Sequence, residues 1–238
     1  MTTDLSAAID TLYAAFALVP RPTAIVSCPC CHAPLDVRAL PAPVPLRDLP
    51  PEALTSYAAD VMLTSGDAGD LRYFLPRLLE VSAAGGFAWP GPEVVVGKLR
   101  LAGWQTWRDE ECAAVRGYLA ALWTATLASE PAERDADTAL CAIGNAEDDL
   151  TPYLAEWTSV LTRPTAAAQL LVLLGDGCRS VRGTRWLANG FWGDRDQQAG
   201  QVVSWLGGTE LRLAVAAAYE AADDDGARLA LIDVDDLL

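Results

Sequence analysis

Residues 66–80 read GDAGDLRYFLPRLLE, and this stretch indicates how the chain folds. Its apolar side chains recur at spacings of three and four, which places them on one face of a helix; they are Leu71, Phe74, Leu75, Leu78 and Leu79. Gly66 is a stop signal for a preceding helix, and Asp67 or Asp70 can cap the next one. Pro76 removes a backbone donor, so we expect it to kink the helix or restart it.

The same helical periodicity continues outward on both sides. An N-terminal helix is expected behind a cap at Thr3, and Thr106 is expected to cap a helix that runs to residue 126. Other helices are expected near residues 51–61, 92–102, 135–143, 150–161, 165–174, 195–206 and 209–222. A weak echo of residues 66–75 at residues 144–154 has a separation of about two HEAT-type units. We therefore predict an all-α fold of stacked antiparallel helix pairs, either a HEAT-like α-solenoid or an irregular helical bundle.

Three regions follow from this reading. Residues 1–50 are expected to be a helix followed by an irregular arm rich in proline and cysteine, and residues 51–222 to be the domain of helix pairs. Residues 223–238 begin acidic and end apolar, which fits a last strand or helix packed on the body, or a loose tail that acts as a ligand for a partner.

Composition limits the classes of function. Hydrophobic residues make up 52% of the chain, which excludes disorder over the whole length. The formal net charge is −15, from 32 acidic and 17 basic residues. A field of that sign repels phosphate backbones, so no nucleic-acid ligand is expected and a basic protein partner is favoured. The alternative is that the charge only maintains solubility.

The N-terminus has no positively charged segment of the kind that begins a signal peptide, and no apolar run reaches the ~18 residues of a membrane span. We therefore expect a cytoplasmic protein with no membrane partner, in which the thiols stay reduced.

Residues 27–32 read SCPCCH, and they contain the only histidine. Cys28, Cys30, Cys31 and His32 are candidate zinc ligands, because thiolate and imidazole are the ligands that zinc prefers. No second C-x-x-C pair exists to complete a structural site, so the favoured interpretation has no cofactor and an arm whose cysteines pack on the helices. A nucleophilic pair of His32 with Cys28 or Cys112 is a further alternative.

Arginines and aromatic residues concentrate in the glycine-rich stretch 175–193, which is a composition typical of recognition surfaces. The candidate partner-binding residues there are Arg179, Arg182, Arg185, Trp186, Phe191 and Trp192. Asp67 and Asp70 are added to this set, although the same pair is also expected as a capping cluster. The alternative for the arginines is helix packing in which their stems cover apolar surface.

Three motifs together resemble a family of uncharacterised bacterial (actinobacterial) proteins. They are Cys28-Pro29-Cys30-Cys31, the segment 66–80 quoted above, and Gly97-Lys98-Leu99 with Ala102-Gly103-Trp104; the resemblance covers roughly residues 20–123. It implies no activity and no catalytic residue. The looser similarity to HEAT-type repeats implies a binding scaffold.

No catalytic set is recognisable, so we predict a non-enzymatic interaction protein whose acidic surface binds a basic partner. One version is an immunity protein that neutralises a bacterial toxin. The alternative is a zinc-binding regulatory or enzymatic protein that uses Cys28, Cys31 and His32.

Overall fold

A computed structural model describes residues 2–28, 40 and 44–238, and these residues are mostly α-helical. The chain divides into two compact units, residues 1–121 and residues 122–238, a division that differs from the regions expected from the sequence. None of the helices in the described residues combines the length and the apolar character needed to cross a membrane. The α-helices are α1 (Thr3–Ala15), α2 (Pro51–Asp60), α3 (Ala68–Ala83), α4 (Pro92–Leu101), α5 (Asp109–Leu127), α6 (Ala136–Ala146), α7 (Thr151–Ser159), α8 (Pro164–Val172), α9 (Asp196–Leu206), α10 (Thr209–Ala221) and α11 (Asp225–Leu237).

Side-chain caps fix the start of several helices. Asp67 accepts hydrogen bonds from the backbone of residues 69 and 70, and Asp70 reaches back to the Asp67 amide, which forms a capping box. Asp135 caps α6, and Asp224 caps α11 in the same way. The acidic tail is therefore a helix, as one of the two alternatives for it predicted.

Two predicted caps are wrong. The cap of α1 is Thr2 and not Thr3, because the Thr2 hydroxyl oxygen accepts from the Leu5 amide at 3.3 Å. Thr106 does not begin α5, which starts at Asp109. Thr106 closes a short 3₁₀ turn instead, and its hydroxyl donates to the Gly103 carbonyl at 2.8 Å.

The expectation that Pro76 would restart its helix is also wrong, since α3 continues through it. An internal proline costs a helix about 3 kcal/mol, largely through a lost backbone hydrogen bond. Here the apolar stripe on both sides of Pro76 is buried, from Leu71 to Leu79. Burial of these side chains outweighs the local cost, because each contributes about 1.5–3 kcal/mol.

The core of the first unit lies around α3, which packs against α1, α2 and α4. A buried charge cluster is part of it. Glu111 is fully buried and accepts from Arg72 at 2.7 and 2.8 Å and from Arg108 at 2.9 Å. The two guanidinium groups satisfy the carboxylate, and they hold the pKa of Glu111 below its usual range despite the opposing effect of burial.

The second unit contains α6–α11 together with the end of α5, and α11 packs against α8 and α10. Trp123 and Trp157 are fully buried, with ring centroids 5.2 Å apart in an edge-to-face arrangement. The side-chain nitrogen of Gln169 donates to the carbonyls of Thr126, Ser129 and Arg134, and its side-chain oxygen accepts from the Ala136 amide at 2.9 Å. These contacts satisfy backbone groups that would otherwise be buried without partners.

One element of the second unit was not predicted. After a π-helical turn at Leu173–Gly177, the strands β1 (Cys178–Val181) and β2 (Thr184–Leu187) pair antiparallel in a two-stranded hairpin. Arg182 and Gly183 form its turn and have φ values of 52° and 80°. This two-residue turn has positive φ at both central positions, which is the geometry that matches the twist of paired strands.

Candidate functional site

A pocket in the first unit lies between the α2–α3 connection and the extended segment 24–28. The Cys28 amide donates to the Thr64 carbonyl and the Gly66 amide donates to the Val26 carbonyl, both at 2.8 Å. The cavity between them has a volume of about 700 Å³, which is in the range of small-molecule sites, and is lined by residues 24, 26–28, 62–67 and 70. We call it the loop pocket. It brings together Cys28, Asp67 and Asp70, which the sequence had assigned to two unrelated roles.

The backbone of the connection is held tightly. The Asp60 carbonyl accepts from the amides of residues 63, 64 and 65 at 3.0, 3.0 and 3.2 Å. Met62 lies in the left-handed region with φ 67°, a conformation that costs a non-glycine residue roughly 1–3 kcal/mol. Gly66 has φ 62°, and a Cβ there would lie 3.1 Å from Asp70 Oδ2, so a larger residue at this position would be strained in its backbone and crowded against Asp70. The walls of the pocket are therefore formed in advance of any ligand.

Asp67 and Asp70 each use one carboxylate oxygen in the capping box. Asp67 Oδ1 accepts from the Gly69 and Asp70 amides at 2.8 and 3.0 Å, and Asp70 Oδ2 accepts from the Asp67 amide at 3.2 Å. Within the described residues, neither carboxylate forms a salt bridge. Burial raises the pKa of Asp70, and the charge of Asp67 raises it further, against the lowering effect of the Asp67 amide.

Two buried hydroxyl groups lie beside these acids. Ser65 lines the loop pocket and is 2% exposed, and Tyr57 is fully buried. Neither hydroxyl has a hydrogen-bond partner among the described residues. A Cβ placed on Gly66 would lie 3.3 Å from Tyr57 Cε2 and 3.1 Å from Asp70 Oδ2, so the Tyr57 ring and the Asp70 carboxylate are neighbours. Burial raises the pKa of Tyr57, and the charges of Asp70 and Asp67 raise it further.

Lys98, the only lysine of the chain, supports the end of α2. It is 2% exposed, and its Nζ donates to the Ala59 carbonyl at 2.6 Å. A cation at this end of a helix complements the macrodipole. Burial lowers the pKa of Lys98 to about 8, against the raising effect of the Asp60 charge.

The zinc hypothesis is only partly within the described residues. Cys28 is described, whereas Cys30, Cys31 and His32 lie outside, and so does any Cys–His pair that involves His32. Among the residues that the structure describes, no three His, Cys, Asp or Glu side chains are grouped to hold a metal ion. The remaining described cysteines are buried; they are Cys112 in α5, Cys141 in α6 and Cys178 in β1.

The arginine and aromatic stretch is divided between surface and core. Arg179 and Trp186 face each other across the hairpin, and Trp186 and Phe191 are exposed. Arg182 lies at the exposed turn. The guanidinium of Arg185 donates to the Leu237 carbonyl. These residues can take part in a contact surface.

Trp192 does not belong to that surface, because it is only 5% exposed. Its ring packs on Gly144, where a Cβ would lie 2.5 Å from Trp192 Cζ3. The neighbouring Arg195 is also buried, and it donates to the carbonyls of Gly144 and Glu147 at 2.7 and 2.6 Å. The prediction that Trp192 is a partner-binding residue is therefore wrong, since its side chain packs in the core of the second unit.

A groove on the second unit runs between α10 and α11. It has a volume of about 440 Å³ and is lined by apolar side chains with acidic residues beside them. The apolar residues include Val215 and Leu231, with Tyr219 and Ile232 exposed at 36% and 43%. The acidic lining residues are Glu220, Asp235 and Asp236. We call this feature the acidic groove.

The acidic residues of the groove oppose the helix dipoles. Glu220 lies in the last turn of α10, and Asp235 and Asp236 lie in the last turn of α11, where neither helix has a basic residue. The C-terminal end of a helix is its negative pole, so each such carboxylate costs about 0.3–1 kcal/mol. Arg212 lies 3.9 Å from Asp235, and Glu220 and Asp236 form no salt bridge among the described residues.

Comparison with protein-family models, curated proteins and solved structures found no match to this chain. The resemblance to a bacterial family and to HEAT-type repeats stays a prediction. No sequence pattern had indicated the acidic groove, Tyr57 or Ser65 as features of a site. The run DVDDLL at residues 233–238 was a usable signal for the groove, because it places acidic residues where a helix end disfavours them.

Proposed function

We propose that the protein is a non-enzymatic interaction protein and that its acidic groove binds a basic segment of a partner protein. The observation that carries the proposal is the combination of an apolar groove with carboxylates that oppose the helix dipoles. Solubility alone does not favour those positions, because an acidic residue serves it equally well elsewhere on the surface.

Charge supports the same partner class. Residues 122–238 contain 19 acidic and eight basic residues, which gives a formal charge of −11 out of −15 for the chain. A field of this sign raises the rate at which a cationic partner is met. Each exposed ion pair would itself add only about 0.2–1 kcal/mol, so the charges govern approach and orientation more than affinity.

Affinity would come from the apolar part of the groove. Exposed Tyr219 and Ile232 stand beside buried Val215 and Leu231, which is the arrangement that accepts a large apolar anchor. A basic amphipathic helix suits this geometry, because its apolar face fills the groove while lysine or arginine on its flanks meets Glu220 and Asp236. An immunity protein that covers a basic site on a toxin is one specific form of the proposal, and the acidity of the chain is what supports it.

The test uses a synthetic amphipathic helix with lysine on its polar face, and fluorescence anisotropy to measure binding at low and physiological salt. Asp236→Lys should weaken binding by about three- to thirtyfold at low salt, since it replaces an attraction with a repulsion and each is worth up to about 1 kcal/mol. The same substitution should leave the stability of the protein unchanged or raised by up to about 1 kcal/mol, because it places a cation at a helix C-terminus.

Asp194→Lys is the matched control, because Asp194 is exposed outside α10 and α11 and the change in net charge is identical. It should change the affinity by less than about threefold, the scale of a screened distant charge. Equal weakening in the two variants would show that the groove has no special role, and a failure of the helix to saturate the wild-type protein would refute the proposal.

A further inference from the structure

The acidic groove has two distinct ends, which follow from the way its helices are joined. α10 and α11 pack against each other and are linked by only three residues, 222–224. Helices that pack side by side across so short a connection run antiparallel. The ion pair of Arg212 with Asp235, at 3.9 Å, agrees with this, because it joins the first turn of α10 to the last turn of α11. One end of the groove therefore lies at the connection, and the other lies at the start of α10.

The carboxylates lie at these two ends, with apolar surface between them. Glu220 is two residues before the connection, whereas Asp236 lies next to the residue that pairs with Arg212. Between them are buried Leu231 and exposed Ile232. Residues 212 and 220 are eight positions apart on α10, which corresponds to about 12 Å at a rise of 1.5 Å per residue. The acidic ends are therefore separated by about 12 Å along the groove.

Two arginines near the groove leave both ends negative. The guanidinium of Arg212 is 3.9 Å from Asp235, and Asp236 beside it adds a second negative charge. The guanidinium of Arg228 is 3.5 Å from an aspartate in the first turn of its own helix. Residues 223–225 at that end are all aspartate, so acidic residues outnumber the arginine there as well. Each end of the groove therefore favours a cation from outside the chain.

We infer, resting on the proposed function, that the acidic groove selects a partner helix with basic residues at positions i and i+7 and apolar residues at i+3 and i+4. A helix packed between two antiparallel helices runs nearly along their axes, at roughly 20°. These four positions share one face, and i and i+7 are about 10.5 Å apart. Long basic side chains span the small remaining distance to the carboxylates, while the central pair covers the apolar surface.

A helix suits this groove better than an extended basic segment does. Both walls are α-helices, whose backbone groups bond within their own helix, so they offer no backbone partners to an extended chain. An extended segment would rely on water for its own backbone bonds, whereas a helix satisfies them internally.

The probes are three synthetic helical peptides of equal length and composition, each with leucine at i+3 and i+4. The matched peptide carries lysine at i and i+7. The second carries the two lysines on the opposite face, at i+2 and i+9, and the third carries them on the same face but about 22 Å apart, at i−4 and i+11. Fluorescence anisotropy at low salt measures binding to the full-length protein. The matched peptide should bind about three- to thirtyfold more tightly than either other peptide, the scale of two exposed ion pairs.

The outcomes separate this inference from the proposed function. Equal affinity of the three peptides would overturn the spacing and leave a groove that binds basic helices of any pattern. Saturation by none of them would refute the proposed function itself. Equal binding of a matched peptide with a central proline, which breaks the helix, would show that the occupant is extended. Light scattering that finds a dimer, dissociated by the matched peptide, would show that a second copy of the chain occupies the groove. Either result would overturn the inference.

A charge swap then tests the two ends separately. Asp236→Lys should weaken binding of the matched peptide, and glutamate in place of one of its two lysines should recover at least about threefold. Glutamate in place of the other lysine should recover binding to Glu220→Lys instead. The control Asp194→Lys should discriminate between the two glutamate peptides by less than about twofold, because Asp194 lies outside both helices. Recovery of both groove variants by the same glutamate, or of neither by any, would overturn the assignment of the ends.

Discussion

The buried lysine on α4 predicts an unusual dependence of stability on pH. The pKa of Lys98 is lowered by burial from 10.5 to about 8 in the folded protein. Between these two values the unfolded chain binds the proton and the folded chain does not, so stability rises with pH in this window. Below pH 8 both states are protonated, and the full penalty of the buried charge is present.

The magnitude follows from the size of the shift. One pKa unit corresponds to 1.36 kcal/mol, so the gain between about pH 7 and pH 9.5 is roughly 2 kcal/mol, the part of the shift that this interval covers. Above pH 10.0 the trend reverses, because burial raises the pKa of Tyr13 and Tyr57 above that ordinary value. The two tyrosines then lose their protons in the unfolded chain but not in the folded one, which favours unfolding. The assay therefore stays below pH 10.0.

The assay is urea unfolding at the two pH values, followed by tryptophan fluorescence and by circular dichroism. Lys98→Met is the matched variant, because methionine has a similar length and no charge. The variant should lose most of the gain of about 2 kcal/mol seen in the wild type. Other groups that titrate in this range, such as Cys178 with its raised pKa, are common to both proteins and cancel in the comparison. The same rise in both proteins would refute the assignment of the effect to Lys98.

Three further predictions concern packing, buried charge and metal. Glu111→Gln should destabilise the protein by about 1.5–3 kcal/mol in urea unfolding, because two partly exposed arginines lose their counter-charge and keep only a neutral acceptor. Exposed Glu110→Gln should change the stability by less than about 0.5 kcal/mol. Gly144→Ala should destabilise the protein by about 1–3 kcal/mol, because the new Cβ would meet the indole ring of Trp192. Gly117→Ala is the control: its Cβ meets nothing within 4 Å, so it should stabilise α5 by about 0.5–1 kcal/mol. Elemental analysis of protein purified without chelator should find less than about half an equivalent of zinc, because structural zinc binds tightly enough to be retained. One full equivalent would contradict this expectation and support the zinc hypothesis.

Most of the helices could be predicted because their signals are local. The stripe from Leu71 to Leu79 is buried as the periodicity indicated, and proline at the start of α4 with Gly103 after its end marked that helix correctly. Pro76 and Thr106 were misjudged for a common reason. Each has a local propensity that favours a helix boundary, and the surrounding structure decided otherwise. At Pro76 burial of the apolar stripe outweighs the cost of the proline, and at Thr106 the hydroxyl bonds to the Gly103 carbonyl inside a 3₁₀ turn.

The candidate sites were predictable in part. Cys28, Asp67 and Asp70 were chosen from sequence, but their association in one pocket depends on backbone bonds between segments almost 40 residues apart. Neither Ser65 nor Tyr57 had any local signal, because an unsatisfied hydroxyl is a property of its surroundings. The hairpin was missed since its turn, Arg182-Gly183, lies outside the usual Asn-Gly and Asp-Gly pattern.

The positions of the acidic residues carry more information than their number. Asp67, Asp135 and Asp224 cap helix N-termini, where a carboxylate stabilises the helix, so folding explains them. Glu220 and Asp236 lie at the opposite pole, where the same group is unfavourable, and both line an apolar groove. A requirement for net charge alone is satisfied equally well at either pole. Carboxylates at the disfavoured pole are instead expected where a cation from outside the chain binds. A bound cation interacts favourably with the negative end of the helix dipole, so it offsets the unfavourable interaction of the carboxylates with the same dipole.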